Sequence, residues 1–279
     1  MPGLIRDGNL YTGAPTGWTH AEARRLRRMD ELLAAVTTAD LTPVLAAVRA
    51  SEQPVRLLDV GAGTGTTVED LCTTHGVAYY VLDASGPLLA ARATDPARKV
   101  RGRAEHLPLA GGSFALTFSR AVLAWCGDPR AAIREQLRVT APGGTALFTE
   151  FDWTRAGLTA RSQALADGMA ARAAMMGALI QGGFAPRYGA RLGADVDAVT
   201  AGTGCVREQR VVELPAGDHR AVFLDAARTV IAHLRGLKAA PAATAAMFLE
   251  SYAAAVDDPA NVIELRLPAL VTQLVSVPA

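Results

Sequence analysis

Leu57-Leu58-Asp59-Val60-Gly61-Ala62-Gly63-Thr64-Gly65 is the stretch from which the fold of this chain can be read. Residues Val55 to Val60 are short, apolar and partly β-branched, and they run straight into glycines. That pattern predicts a buried strand followed by a tight turn. Glycine is required where φ is positive or where a Cβ would collide, so the loop brings its backbone close to something. A dinucleotide would call for GxGxxG, with its pyrophosphate on the next helix N-terminus. Here the third glycine comes one residue early and position 66 is Thr. GxGxG fits a ligand that lacks a pyrophosphate. Taken alone, the loop indicates a nucleotide-like ligand and leaves its tail open.

Outward from the loop, Val68, Leu71 and Cys72 mark one side of a helix, and a second strand, Val77 to Leu82, ends at Asp83. A carboxylate at that strand end can accept hydrogen bonds from both ribose hydroxyls of an adenosine. It can also serve as a helix N-cap over Ser85 to Leu88. Alternation continues with a helix over Pro87 to Ala93 and strands over Lys99 to Arg103 and Ser113 to Ser119. A helix over Asp128 to Thr140 opens on Asp-Pro, Ala141 to Gly144 is a turn, and a fifth strand covers Thr145 to Phe151. Upstream, Trp18 to Arg49 is helical, with Leu26, Met29, Leu32, Leu33 and Val36 at helix spacing and Pro43 dividing it in two. Downstream, an Ala- and Met-rich helix spans Thr159 to Ile180, ended by Gly182-Gly183. Two more strands are expected over Val206 to Leu214 and Leu270 to Val277, with helices over Arg220 to Leu237 and Ala242 to Val256 between them.

Strands alternating with helices predict an α/β fold: a Rossmann-like, doubly wound, mainly parallel seven-stranded sheet with helices on both faces and helical additions over the ligand edge. Right-handed crossovers put the C-terminal ends of the parallel strands on one edge, where ligands bind. Without repeats or low-complexity linkers, residues 1–279 are expected to form a single domain. Within it, 1–50 would be an N-terminal helical cap, 51–155 the cofactor-binding core, and 156–279 the substrate-side helices and last two strands.

Half of the 279 residues are hydrophobic, and 28 Lys plus Arg against 27 Asp plus Glu leave a net charge of +1. Such a balance argues against a broad electrostatic footprint for nucleic acid or an anionic membrane. The basic run Arg24-Arg25-Leu26-Arg27-Arg28 reads as a solvated helix face. Three widely spaced cysteines, Cys72, Cys126 and Cys205, suggest reduced thiols, with neither a metal site nor a disulfide framework. Met1 to Tyr11 has no apolar core of signal-peptide length, and Arg and Asp break the Ala-rich segments, so no membrane span is expected. The expectation is a cytoplasmic protein, monomer or homodimer, whose partner is a small molecule.

Four motifs in order resemble the class I S-adenosylmethionine-dependent methyltransferases, in particular the small-molecule branch related to ubiquinone and menaquinone methylation enzymes. They are Leu57 to Gly65; Val81-Leu82-Asp83-Ala84-Ser85; Ala104-Glu105-His106-Leu107-Pro108-Leu109 with Ser113-Phe114; and Arg138-Val139-Thr140-Ala141-Pro142-Gly143-Gly144. The resemblance covers Leu57 to Trp153 best. It implies S-adenosylmethionine as cofactor, contacted by Asp59, Gly61, Ala62, Gly63, Asp83, Ala84, Ala104, Glu105 and Ser119. Asp83 would hold the ribose, with Ala84 against the adenine. Two positions depart from the family: Arg103 stands where an acid usually binds the adenine amino group, and Ala115 replaces Asp in a Phe-Asp pair. Arginine has no acceptor, so that contact would fall to Glu105 or a backbone carbonyl.

Methyl transfer from a sulfonium is an in-line displacement that a dry, aligned pocket can accelerate. A base is needed only if the acceptor must lose a proton. Candidates are His106, Glu150 and Asp152, the last two flanking Phe151 at the end of the fifth strand. Trp125, Trp153 and Tyr11 are candidate acceptor-site residues, with core packing as the alternative for the tryptophans. Trp18 and His20 belong to the N-terminal segment that folds over the cofactor in relatives, and Met169, Met175 and Met176 either pack the core or line an apolar pocket. Methyl transfer to a small natural product is the first expectation. A cyclisation or rearrangement on the same fold, a non-catalytic cofactor-binding partner, and an NAD-dependent dehydrogenase follow in that order.

Overall fold

Strand β1, Arg56–Val60, is an interior strand of the sheet, and its residues Leu57 to Val60 are buried. In chain order it is followed by β2 (Ala78–Asp83), β3 (Lys99–Arg101), β4 (Phe114–Arg120), β5 (Thr140–Asp152), β6 (Gly157–Ala160), β7 (Val206–Val212), β8 (Ile263–Arg266) and β9 (Ala269–Ser276). Seven of these form one sheet in the order β3-β2-β1-β4-β5-β9-β7, and β6 pairs with β8 in a separate antiparallel ribbon. Pairings from β3 to β5 are parallel, and β9 runs antiparallel to both β5 and β7. The chain leaves β1 for β2 on one side and later returns to β4 on the other. The crevice at the ends of β1 and β4 is therefore the switch point where open α/β sheets bind ligands. The computed structural model describes residues 16–48, 55–152, 157–160, 185–214, 224, 228, 240–258, 263–266 and 269–279.

Period-two alternation sends neighbouring side chains to opposite faces. Leu57, Val81, Leu116, Phe118 and Leu147 meet Leu41 and Leu45 of α1 (Thr16–Val48) and Val68 and Cys72 of α2 (Thr67–His75). A short α3 (Gly86–Ala90) follows β2. On the other face Leu58, Val60, Leu82, Ala146 and Phe148 pack on Ile133 and Val139 of α4 (Pro129–Val139) and on Leu192 and Val196 of α5 (Tyr188–Thr200). Among the described residues the last helix is α6 (Ala240–Asp257). The expected doubly wound sheet is thus the observed one, and Asp128 caps α4 through the amide of Ala131.

The structure departs from the sequence expectations in several places. Ala141 to Gly144, expected as a turn, lie inside β5, where the pairing with β4 shifts register between Phe114 and Leu116. Pro43 does not divide α1, which continues through it. Proline removes the amide that would bond the carbonyl of Ala39. That oxygen instead accepts from Arg210 Nη1 at 3.4 Å, while the same guanidinium nitrogen bonds Asp40 at 2.9 Å. The fold thus supplies a donor from β7 to the interrupted turn. Thr159 begins no helix, since Gly157 to Ala160 pair with Ile263 to Arg266. Most of the helices expected over Thr159–Ile180 and Arg220–Leu237 lies outside the described residues. Glu22–Val48 is long and apolar enough, on length and composition, to cross a bilayer. In this fold Leu33, Leu41 and Leu45 of that stretch are core residues, and its Asp30 and Asp40 are buried beside arginines. Finally, α5 is a helix that the sequence does not predict, because Gly189 and Gly193 weaken its helical signature.

Gly189 has a packing reason. A Cβ there would stand 2.6 Å from the carbonyl carbon and oxygen of Phe151, so α5 rests directly on the backbone of β5. Gly189→Ala is expected to lower unfolding free energy by about 2–3 kcal/mol through overpacking. Gly127→Ala, where nothing lies within 4 Å, is the control. Urea unfolding of the two variants tests the contact; equal stabilities would refute it.

Candidate functional site

The glycine loop leaves β1 with its amides turned toward the end of β2. Gly61 N–H and Ala62 N–H donate to the Leu82 carbonyl at 2.7 and 3.2 Å, and Gly63 N–H donates to Asp83 Oδ2 at 2.9 Å. Gly61 and Gly63 have φ of +70° and +52°, a region that side chains avoid. Their Cβ positions are also occupied by the chain itself. Val122 Cγ2 fills the first, and Leu26 Cδ1 lies 3.1 Å from the second. Glycine here thus serves the protein's own close packing as well as any ligand.

Helix α1 lies along the loop. Thr64 Oγ1 donates to the Ala23 carbonyl at 3.1 Å. Asp30 Oδ2 accepts from the amides of Thr66 and Thr67 at 2.8 and 3.0 Å and from Thr67 Oγ1 at 2.9 Å. Its other oxygen meets Arg120 Nη2 at 2.5 Å, and Arg120 Nη1 reaches Thr37 at 2.6 Å. Burial pushes the Asp30 carboxyl up, but Arg120 and the Thr67 bonds outweigh it and hold it below the usual range. A side chain from α1 therefore caps the N-terminus of α2, 36 residues away in the chain.

Asp83 is buried at the end of β2, where Oδ1 accepts from the Ser85 amide at 2.8 Å. Burial raises its pKa, and the bonds from Ser85 and Gly63 oppose the rise. Ser85, not Asp83, caps α3, accepting from the Leu88 amide. With two lone pairs on each oxygen, the Asp83 carboxylate keeps acceptor capacity beyond its backbone donors. Ala84 is half-buried beside it. Asp59 faces the α2 side of the sheet, where its carboxylate accepts from Tyr79 Oη at 2.7 Å. Burial pushes it up to about 6, against the opposing charge of Arg92 and the Tyr79 bond.

Across the crevice, Ser119 at the end of β4 stands opposite Val60. Its hydroxyl is buried and has no hydrogen-bond partner. Ala121 follows with φ of +57°, the one positive value at a non-glycine among the described residues. A 3₁₀ turn over Leu123–Trp125 comes next. Glu150 Oε1 holds that turn, accepting from Val122 N–H at 2.8 Å and Leu123 N–H at 2.6 Å. Burial pushes the Glu150 carboxyl up to about 7 in spite of these amides. This fixes Val122 over Gly61 and gives Glu150 a positioning task. Trp125 is half-buried against the α4 core.

The remaining candidates are placed as follows. Ala104 is a core residue, and Glu105 Oε1 accepts from the Gly127 amide at 3.0 Å and from Arg103 at 3.3 Å. Arg103 therefore spends its charge on Glu105. His106 is exposed on the turn, its amide bonded to the Arg103 carbonyl at 3.1 Å. Asp152 is buried at the end of β5, opposite Ala269. Tyr11, Trp153, Met169, Met175 and Met176 and the side chains of Trp18 and His20 lie outside the described residues. Direct bonds or register join Gly61, Ala62, Gly63, Asp83 and Ser119 around one crevice. Sequence reasoning misses Asp30, Arg120 and Arg92. For the first, an aspartate on the apolar stripe of α1, between Ala23 and Leu33, is the signal that could have found it.

Residues 58–148 match the protein family described as "Methyltransferase domain". The malonyl-(acyl-carrier protein) O-methyltransferase of Dechloromonas aromatica is 40% identical over 91 residues, which are 33% of this chain and 34% of that protein. The demethylmenaquinone methyltransferase of Mycobacterium bovis is 39% identical over 97 residues, 34% of this chain and 41% of that protein. The matched part thus spans well under half of either relative. Among solved structures, the [4+2]-cyclase SpnF superposes with a TM-score of 0.51 at 20% identity, covering 86% of this chain and 80% of that one. That likeness extends the shared fold beyond the matched segment.

The two raised carboxyls set a pH dependence. Glu150 and Asp59 keep protons up to about 7 and about 6 when folded, against 4.5 and 3.8 as ordinary values. The native state then binds more protons than the unfolded one in that window, so stability falls as pH rises through it. Each tenfold difference in proton affinity between the two states is worth about 1.4 kcal/mol. Urea unfolding is therefore expected to show lower stability at pH 8 than at pH 5, by about 2 kcal/mol or more. Glu150→Gln should shrink that difference. A profile rising from pH 5 to 8, or one unchanged by the substitution, would count against the burial of these carboxyls.

Proposed function

We propose, for a chain whose residues 58–148 match a methyltransferase domain, that it binds S-adenosylmethionine at the glycine loop and passes the methyl group to a small-molecule acceptor, a natural product. The observation that carries this reading is the state of the α2 N-terminus. In a dinucleotide fold those amides receive the pyrophosphate. Here Asp30 already takes the amides of Thr66 and Thr67, so a pyrophosphate would meet a carboxylate. An adenosine ligand without phosphates suits the crevice.

The residues present fit that cofactor. Asp83 has acceptor capacity for the ribose hydroxyls, and the buried hydroxyl of Ser119 stands ready for a polar group. Gly61 and Gly63 present backbone without side chains of their own, packed beneath Val122 and Leu26. Ala84, Ala104 and Glu105 would border the adenine, with Arg103 drawn away to Glu105. When bound, the cofactor supplies an electrophilic methyl group on a positively charged sulfur. The chain's own part is to orient, to exclude water through α1 and Leu26, and to align the acceptor. Asp152, buried at the end of β5, is the residue proposed to act on an acceptor that must lose a proton, while Glu150 holds the turn after β4. Trp125 would border that acceptor.

Calorimetric titration tests the reading. S-adenosylmethionine should bind and NAD should not, and Asp83→Ala should weaken binding about 100-fold, the scale of losing charge-assisted hydrogen bonds. Absence of heat at millimolar cofactor, or tighter binding of NAD, defeats it. Release of S-adenosylhomocysteine in the presence of candidate acceptors then separates methyl transfer from another reaction on a bound cofactor.

A further inference from the structure

Behind the glycine loop, away from the crevice, lies a buried charged cluster that no step above uses. Arg92 follows α3 and is 7% exposed. All five guanidinium N–H groups are placed. Nη1 donates to the carbonyls of Ala62 at 3.2 Å and Gly63 at 3.3 Å. Nη2 donates to Glu69 Oε2 at 3.2 Å and to Tyr79 Oη at 3.0 Å, and Nε donates to Thr94 Oγ1 at 3.3 Å. The guanidinium carbon also lies 5.5 Å from the centre of the Tyr79 ring. Tyr79 in turn donates to Asp59 Oδ2 at 2.7 Å, and Thr94 Oγ1 donates to Glu69.

We propose that Arg92 is the positioning residue of the glycine loop, holding the Ala62 and Gly63 carbonyls from behind while Asp59, Tyr79 and Glu69 hold Arg92. The loop amides face Leu82 and Asp83, and its carbonyls face Arg92. Both sides of the same stretch of backbone are thereby fixed, and the crevice side of the loop is presented in one conformation. Asp59 then acts through Tyr79 as an anchor beneath the loop rather than as a group that touches cofactor. The charge also has an electrostatic use. Two carboxylates, Asp59 and Glu69, gain in Arg92 a buried counter-ion between them. Arginine is specific here because a planar fork reaches two carbonyls, a hydroxyl, a carboxylate and a threonine at once. A lysine ammonium has three donors at one point and cannot span them.

The consequence for cofactor affinity rests on the function proposed above, but the effect on the loop does not. Hydrogen exchange of the ligand-free full chain is therefore the first measurement, on wild type, Arg92→Lys and Arg92→Met. In Arg92→Met the amides of Gly61 to Gly65 should exchange about tenfold faster, with those of Leu116 to Phe118 and Ala146 to Phe148 unchanged, as in a local opening. Arg92→Lys should fall between the two. The S-adenosylmethionine dissociation constant should rise about tenfold or more in Arg92→Met and less in Arg92→Lys, following preorganisation. Unchanged loop exchange, or a rise spread evenly over all strands, overturns the proposal. So does unchanged affinity in the variant when wild type binds the cofactor. If wild type does not bind, the cofactor reading fails and exchange alone judges Arg92. Should Arg92→Met not fold, Tyr79→Phe removes one link with the ring retained; loop exchange should rise about twofold, and no rise overturns the proposal.

Discussion

The peptide groups of Gly61, Ala62 and Gly63 leave the sheet at the point where β1 stops having neighbours, and buried backbone must still be paired. Every other feature of this region answers that demand. Leu82 and Asp83 take three amides, Arg92 takes two carbonyls, and α1 covers the exit with Leu26 and Asp30. None of these partners is adjacent to the loop in sequence. The ligand edge is therefore built from the ends of β1, β2 and β4 together with a helix that precedes all of them.

Charge on both sides of the glycine loop is directed inward. Asp30, Asp59, Asp83, Glu150 and Arg92 are all buried, and each is held by amides, hydroxyls or an opposite charge. Such groups are costly to bury without partners, and removing one partner leaves the other exposed to that cost. Their value lies in geometry. Glu150 sets the turn that places Val122 over Gly61, and Asp30 ties α1 to the start of α2.

The sheet is legible in the sequence because its signal is local and periodic. Each apolar strand ends at a turn residue, and the glycine loop, Asp83 and Ser119 fall at strand ends that a reader can count. Partners joined across long separations are not legible. Nothing around Pro43 announces that Arg210 will supply the donor its helix lacks. The glycines of α5 look like breakers until β5 is seen pressed against Gly189. Asp59 shows the same limit: its place next to the glycines is read directly from the sequence, but its bond to Tyr79, 20 residues on, is not.

The bonds of Asp30 and Asp40 carry a further consequence, in the order of events during folding. Asp30 joins Arg120 across 90 residues, and Asp40 joins Thr272 across 232. Contacts of that separation form late, because closing so long a segment costs entropy before any contact offsets it. The parallel core can collapse from neighbours, whereas the C-terminal part of α1 gains its Asp40–Thr272 bond only once β9 has docked. That contact would then be among the last a folding molecule acquires. A refolding experiment that reports on it would register a slower phase than one followed by secondary structure.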